Sequence, residues 1–268
     1  GLRKLGGRLV FASELDYQAR QVYEANFGGR VAGDITEVEG DDIGPHDILT
    51  AGFPCQSFSQ AGDQKSFEDP RGMLFLEICR VLKHCQPPAF ILENVANLVH
   101  IDGGAAVARI IESLEEMGYE VDWRLINCRV VLPQQRVRVY LVGFRRGVKV
   151  KEFAWPELPA LDRRMDEILE GPEADTDPTV LLTQAQFTKL RASQGYRAHL
   201  KLSRPACART LMSSYRSGIR TEFVFRPGAE RPRYYTVREC ARLQGFPETM
   251  RLGHDFGKKD SANRAYHQ

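Results

Sequence analysis

Between residues 9 and 144, short runs of β-type apolar residues alternate with amphipathic stretches of ten to fifteen residues, and no other feature constrains the fold as tightly. LVFAS (9–13), VAGDI (31–35), DILTAGF (47–53), AFILEN (89–94), YEVDWRLIN (119–127) and VRVYLVGF (137–144) read as strands. Residues 16–27 place Ala19, Val22, Tyr23 and Phe27 on one helical face, with Asp16 near the start and Gly28-Gly29 as the stop. Helical patterns recur over 73–85 and 105–117. This alternation predicts an α/β fold: a doubly wound, mostly parallel sheet with helices on both faces. The last two strands share a short connection, which suits an antiparallel edge hairpin.

A chain of 268 residues suffices for one large domain or a domain with a smaller lobe. The net charge of +2 conceals segregation. Residues 151–177 carry nine acidic side chains against three basic ones and several prolines, and read as a linker. Residues 189–242 carry thirteen basic side chains against three acidic ones, interleaved with Tyr196, Tyr215, Phe223, Phe225, Tyr234 and Tyr235. Such a lobe suits a polyanionic partner, although a solvated charged surface gives the same composition. The expected divisions are therefore 1–150, an acidic linker over 151–178, a basic lobe over 179–235, and a return to the first domain over 236–268. No apolar run approaches the ~18 residues of a membrane span, and the first residues lack the sectors of a signal peptide. Six cysteines in a chain this long fit a reducing compartment rather than a disulfide scaffold.

Three stretches carry the chemistry. In AGFPCQSFSQAG (51–62) a strand delivers its carboxyl end into a polar loop bearing Cys55, at the edge where open α/β sheets bind ligands. Cys55 there is either a nucleophile or a structural thiol. In ILENV (91–95), Glu93 closes a core strand, either capping the next element or working in a site. In LPQQRVRVYLVGF (132–144), period-two alternation puts Gln134, Arg136 and Arg138 on one face and Val137 and Val139 on the other. Arginines on an otherwise apolar strand need an anionic or carbonyl partner.

The order GFPCQSFS, ENV, QQRVR and RECARLQGFP (238–247) resembles the DNA (cytosine-5) methyltransferase family over nearly the whole chain. FASELDYQARQVYEANFG (11–28) is similar to the family's cofactor-ribose motif and GDITEV (33–38) to its adenine motif. ARTLMSSYRSG (208–218) is similar to the core of its target-recognition region. The resemblance implies a Rossmann-like methyltransferase domain with a target-recognition region at 179–235. The reaction would transfer a methyl group from S-adenosylmethionine to carbon 5 of a flipped-out cytosine in duplex DNA.

By the same resemblance Cys55 is the nucleophile that adds to carbon 6, and Glu93 meets ring nitrogen 3 and the exocyclic amine. Arg138 holds the base oxygen, and Arg136 orders the nucleophile's loop. Glu14 takes the cofactor's ribose hydroxyls and Asp34 its adenine amine. Ile35, Pro54 and Leu74 are apolar walls, and Leu15 stands where the family often has an aromatic ring. Gln56, Ser59 and Arg71 on the loop after Cys55, and Arg209 and Thr210 in the basic lobe, are the expected DNA contacts.

The glycine-rich first motif and the Gly-Asn-Ser-Val-type last motif of the family are absent, so the chain reads as a fragment that binds S-adenosylmethionine poorly alone. The completed enzyme is expected to be monomeric and without metal. A bacterial cytoplasm and a restriction–modification system are its expected setting, with a nucleus the alternative for a eukaryotic source. Two other readings remain open at this point. A non-catalytic nucleic-acid-binding module accounts for the basic lobe but not for Cys55, Glu93, Arg136 and Arg138. An RNA-directed cytosine-5 methyltransferase shares the cysteine and the glutamate.

Overall fold

The computed structural model describes residues 2–54, 73–149, 153–159, 163–193, 200–201, 207–212, 215–216 and 222–252. Two compact units emerge: residues 1–20, 29–127 and 137–156 form the first, and 21–28, 128–136 and 157–268 the second. These borders interleave along the chain, and the described residues of 236–268, expected to return to the first domain, fall in the second unit.

The first unit is built on a four-stranded sheet of β1 (Ile48–Gly52), β2 (Ala89–Val95), β3 (Tyr119–Asn127) and β4 (Val137–Arg145), in spatial order β1-β2-β4-β3. β1 and β2 are parallel, with Gly52 opposite Glu93, while β4 runs antiparallel to both β2 and β3. The short connection between the last two strands thus gives the expected antiparallel pair. Strand alternation sends Phe90 and Leu92 to one face, where they join Val139 and Leu141 in a single core. Helix α2 (Met73–Cys85) adds Phe75, Ile78 and Leu82 to it, and helix α3 (Ala105–Glu116) adds Ala106, Val107, Ile110 and Leu114. The spacing of those residues is the helical i, i+3, i+4, i+7 pattern. Phe90 lies directly over Gly143, where a built Cβ would sit 2.1 Å from its ring. Only glycine admits that ring, so position 143 makes room for Phe90 over the neighbouring strand.

The stretches 9–13 and 31–35, expected as strands, meet only as a parallel bridge of Ser13 with Ala32. Ser13 Oγ donates to the Gly33 carbonyl at 2.6 Å, and the N–H of Glu14 donates to the Ala32 carbonyl at 3.0 Å. The helix expected at 16–27 forms as α1 (Tyr17–Phe27). Asp16 Oδ1 accepts from the N–H groups of Gln18 and Ala19, satisfying orphan donors of the first turn. At the other end Gly28 adopts φ +70°, a left-handed conformation suited to a helix stop.

The second unit has its own core, formed by Met165, Ile168, Val180, Leu182, Leu190, Ala208, Tyr215, Phe223, Val224, Tyr234, Tyr235 and Leu243. Among its described residues, helices α4 (Gln184–Arg191) and α5 (Val237–Leu243) are each opened by a reciprocal capping box, Thr183 with Gln186 and Thr236 with Glu239. The stretch read as an acidic linker contributes Met165 and Ile168 to this core, so its described second half is folded. One acidic residue of this stretch, Asp175, neutralises arginines from further along the chain. Asp175 pairs with Arg226 at 2.9 Å and with Arg233 at 2.7 Å.

The run 132–144 is not one continuous strand. It divides at Arg136, leaving Gln134–Gln135 as a two-residue strand in the second unit, paired in parallel with Ala208–Arg209. Gln134 is fully buried there, and its Nε2 donates to the Leu243 carbonyl at 3.2 Å. Gln134, Arg136 and Arg138 therefore do not share a single strand face.

Candidate active site

The candidate residues of the first unit lie in two sets, each where a pair of parallel segments ends. The parallel bridge brings the chain after Ser13 beside the chain after Ala32, so Glu14 and Asp34 leave at the same edge. The parallel register of β1 and β2 does the same for Phe53-Pro54 and Glu93-Asn94. The carboxyl ends of parallel strands are the usual ligand edge of an α/β sheet, because loops there are freed from pairing.

Glu93 lies on the sheet face opposite the Phe90–Leu92 core. Arg138 reaches it across the β2–β4 ladder, Nε to Oε1 at 2.9 Å, while Arg138 Nη1 donates to the Val137 carbonyl at 2.8 Å. The two are diagonal neighbours, since Val95 rather than Glu93 stands opposite Arg138. The arginine side chain is 12% exposed and the glutamate 36%, so the pair faces a partly open space. A Cβ built at Gly52 would lie 3.5 Å from Glu93 Oε2. The carboxylate thus borders backbone rather than side chain on its β1 side.

Asn94, next along β2, is 2% exposed. Its Nδ2 donates to the Phe53 carbonyl at 2.9 Å, and its Oδ1 accepts the Val95 N–H at 2.8 Å. This amide fixes the backbone two residues before Cys55. No role was read for it from sequence, though a signal existed: Asn94 falls on the buried parity of an apolar strand, with Phe90 and Leu92.

The cofactor candidates carry a suitable donor set. Glu14 Oε1 accepts the Asp16 N–H at 2.9 Å, which orients its exposed carboxylate. Asp34 Oδ1 accepts the Thr36 N–H at 2.9 Å. Hydrogen bonds from the Thr36 backbone and then its side chain hold the Asp34 carboxyl below its ordinary value of 3.8. Two oriented carboxylates at one edge match ribose hydroxyls and an exocyclic amine. Ile35, Pro54 and Leu74 are half-buried, and Leu15 is 71% exposed. The Ile35 carbonyl is held by Arg80 Nη2 at 3.0 Å, which leaves the residue's aliphatic chain to line the edge.

Cys55, Gln56, Ser59 and Arg71 lie outside the described residues. Arg136, Arg209 and Thr210 belong to the second unit. The Arg136 carbonyl accepts the Cys128 N–H at 2.9 Å. Thr210 Oγ1 donates to the Gln135 carbonyl at 2.8 Å, and the Arg209 side chain is 65% exposed.

The basic lobe differs from its sequence reading in one respect. Arg216, Arg226, Arg231, Arg233, Arg238 and Arg242 each donate to a carbonyl inside the second unit. Arg233 is 1% exposed. Much of the positive charge therefore organises this unit rather than facing solvent, because a buried guanidinium needs acceptors around its whole fork. The TVRE stretch at 236–239, a capping-box signature, was the available signal that Glu239 is structural.

Burial pushes the Cys79 thiol up to about 11, and it raises Cys85 and Cys240 as well. These three are poor thiolates. Among the described residues no group of three or more His, Cys, Asp or Glu side chains comes together to hold a metal ion, and no helix is long and apolar enough to cross a membrane.

A model of the C-5 cytosine-specific DNA methylase family matches residues 1–268. The chain is 39% identical over 259 residues to the type II methyltransferase M.NgoBI of Neisseria gonorrhoeae, covering 94% of this chain and 80% of that protein. It is 31% identical over 285 residues to M.HhaI of Haemophilus parahaemolyticus, covering 100% of this chain and 84% of the relative. Among solved structures, the S. pombe Dnmt2 methyltransferase superposes with a TM-score of 0.76 at 21% identity, over 99% of this chain and 88% of that one, a likeness of fold. The four ordered motifs and the carboxylate–arginine pair at the sheet edge agree with the whole-length match: this chain belongs to the C-5 cytosine-specific DNA methylase family.

Proposed function

We propose that this protein methylates carbon 5 of cytosine within a specific duplex DNA sequence, in the restriction–modification setting that the names of its type II relatives indicate. The observation that carries the reading furthest is the Glu93–Arg138 ion pair at the carboxyl edge of β2, beside the β1 end that leads through Phe53-Pro54 to Cys55. S-adenosylmethionine, when bound, supplies an electrophilic methyl group. Glu14 and Asp34 would hold its ribose and adenine, with Leu15, Ile35, Pro54 and Leu74 as apolar neighbours.

Carbon 5 of cytosine is a poor nucleophile, and the protein's task is to make it a good one. The Cys55 sulfur forms a bond to carbon 6, and the displaced electron pair moves toward carbon 5, nitrogen 3 and the carbonyl oxygen. Glu93 supplies a proton at nitrogen 3 and accepts the exocyclic amine, while Arg138 and Arg136 stabilise the oxygen and the loop. After carbon 5 takes the methyl group, its proton passes to solvent and nitrogen 3 returns its proton to Glu93, which re-forms the double bond and expels the Cys55 thiolate. Groups preset for developing charge supply most of such catalysis, about 3–4 kcal/mol for one donor.

The target must leave the base stack, at a cost of a few kcal/mol. Gln56, Ser59 and Arg71 would close over it, and residues 179–235, with Arg209 and Thr210, would read the flanking sequence. A single polypeptide is the proposed working form.

The test is mechanism-based trapping. Duplex DNA carrying 5-fluorocytosine cannot lose a proton from carbon 5, so a covalent complex should accumulate with S-adenosylmethionine present. Peptide mapping should place the link at Cys55, and Cys55→Ser should abolish it. Methylation that survives Cys55→Ser, or an adduct at another cysteine, would refute the mechanism.

A further inference from the structure

We infer that Glu222 is a positioning residue for DNA discrimination: its buried carboxylate holds the Arg209 backbone and lies within ion-pair reach of its side chain. The inference rests on the proposed role of Arg209–Thr210 in reading DNA. Glu222 is 5% exposed, yet its Oε2 accepts the Arg209 N–H at 2.9 Å and its Oε1 lies 3.7 Å from Arg209 Nε. One carboxylate thus fixes where Arg209 starts and biases the direction of its exposed guanidinium.

Glu222 is itself held rigidly. Its own carbonyl accepts the Tyr215 hydroxyl at 3.0 Å, and that hydroxyl accepts the Tyr235 N–H at 2.8 Å. The Tyr215 and Tyr235 rings stack with centroids 5.5 Å apart and planes 16° from parallel. Tyr235 Oη approaches Glu222 Oε2 at 3.5 Å, closing the circuit. From the other side, Gln135 pairs with Arg209 in a parallel ladder and its carbonyl accepts the Thr210 hydroxyl. The Arg209–Thr210 backbone is therefore pinned on both flanks, while the arginine side chain remains 65% exposed.

A buried carboxylate is costly unless its charge is used. Here it offsets the one guanidinium that projects from the pinned segment. An arginine so tethered gains little from phosphates met in any orientation, because leaving Glu222 costs the ion pair. It can still make a contact that matches its fixed direction. The clamp thus lowers indiscriminate backbone affinity and preserves directed contacts.

The experiment compares Glu222→Gln, Glu222→Asp and Arg209→Ala in the full chain, with thermal melting recorded for each. Glu222→Gln retains an acceptor for the Arg209 N–H but removes the charge. Its ratio of kcat/KM on the cognate duplex to that on single-base-pair variants should fall about tenfold. The slope of log Kd against log salt on non-cognate duplex should steepen by about 1, the contribution of one released cation. Glu222→Asp, which restores the charge, should restore the wild-type slope.

A purely structural Glu222 would lower melting without steepening that slope, and that result overturns the inference. So does a melting-neutral Glu222→Gln whose discrimination stays within twofold of wild type. If Glu222→Gln fails to fold, Arg209→Ala decides, since its exposed side chain can be removed without a buried vacancy. Unchanged discrimination in Arg209→Ala, or a non-cognate salt slope shallower by about 1, overturns the inference, and a tenfold loss of discrimination at an unchanged slope supports it. A wild-type protein that neither binds nor methylates duplex DNA defeats the functional reading itself, a different outcome from a selective enzyme indifferent to residue 222.

Discussion

The Arg233 guanidinium meets the Glu239 carboxylate through two parallel hydrogen bonds, Nη1 to Oε2 at 2.7 Å and Nη2 to Oε1 at 2.8 Å, with neither side chain more than 1% exposed. Asp175 accepts from Arg233 Nε at 2.7 Å, and Glu239 Oε1 also accepts the Glu170 N–H at 2.7 Å. Burial acts against the arginine's charge, but the hydrogen bonds and charges of Glu239 and Asp175 outweigh it and hold its pKa above the usual arginine value. Removing one member leaves a buried ion uncompensated, which costs about 3–5 kcal/mol. Glu239→Gln should therefore melt the second unit while sparing the first. Hydrogen exchange should rise across 165–190 and 223–243 and stay unchanged across 89–95 and 137–145. Arg233→Lys should do nearly as much damage, because an ammonium cannot reproduce the fork. Uniform protection in both variants would contradict the central place given to this pair.

Asn94 makes a narrower prediction. Asn94→Ala removes the buried hydrogen bond from Nδ2 to the Phe53 carbonyl, a cost of about 0.5–1.5 kcal/mol. It also frees the backbone that leads to Cys55, and a displacement of about 1 Å at a reacting group can cost ~100-fold. Turnover should fall by that order with little change in the KM for DNA. Asn94→Asp should be worse, since it sets a carboxylate oxygen against the carbonyl. Wild-type kcat in Asn94→Ala would remove the residue from the catalytic account.

The strands β1 to β4 were legible because alternation and apolar content are local properties, and Phe90, Leu92, Val139 and Leu141 obey them. The edge carrying Glu93 followed from the same logic. What escaped was long-range. No local rule shows that Asp175 will neutralise Arg226 and Arg233 more than fifty positions later, so an acidic segment looked like a linker and a basic one like a phosphate surface. The break at Arg136 escaped for the same reason: Gln134 leaves the alternation because it is captured by Leu243 and Ala208 in the second unit. Asn94 was visible by parity but not by purpose, since its partner is a backbone carbonyl 41 residues away.

Thiol chemistry should separate the cysteines. With its thiol pushed up to about 11, Cys79 is almost wholly protonated at pH 8, and Cys240 is held higher still by burial and by Glu239. Brief treatment with iodoacetamide at pH 8 should modify Cys55 first and leave both of these unlabelled by mass spectrometry. Early labelling of Cys79 would contradict the burial seen for α2.

The Asp34 carboxyl should titrate below 3.8 by NMR. A depressed carboxyl favours the folded form above its unfolded pKa, and that contribution disappears as pH falls through the folded pKa. Its effect is therefore confined to pH values below about 4. Thr36→Val removes the hydroxyl but keeps the backbone N–H, the larger influence, so it should move the midpoint only part of the way back. A midpoint at or above 3.8 in the wild type would show that Asp34 is not held as a carboxylate by this turn.

The Glu93–Arg138 pair makes the most direct claim on catalysis. Both groups address one cytosine in the proposed reaction, and each orients the other through the 2.9 Å contact. Glu93→Gln keeps an acceptor for Arg138 but cannot give up a proton, and Arg138→Ala removes the cation while leaving Glu93 free to turn. Each should lower kcat by about 10²–10³, the usual cost of one preset group at a developing charge. Residues that act as a unit lose activity non-additively. The double variant should accordingly fall less than about tenfold below the worse single one, far short of the product of the two losses. Since Glu93 is 36% exposed, Glu93→Gln should change stability little, and its melting temperature near wild type would confine the effect to chemistry. Arg138→Ala, at a side chain 12% exposed, is read only on the fraction that remains folded. Losses that multiply, in a folded protein, would mean that the two side chains serve separate steps and that their contact is incidental.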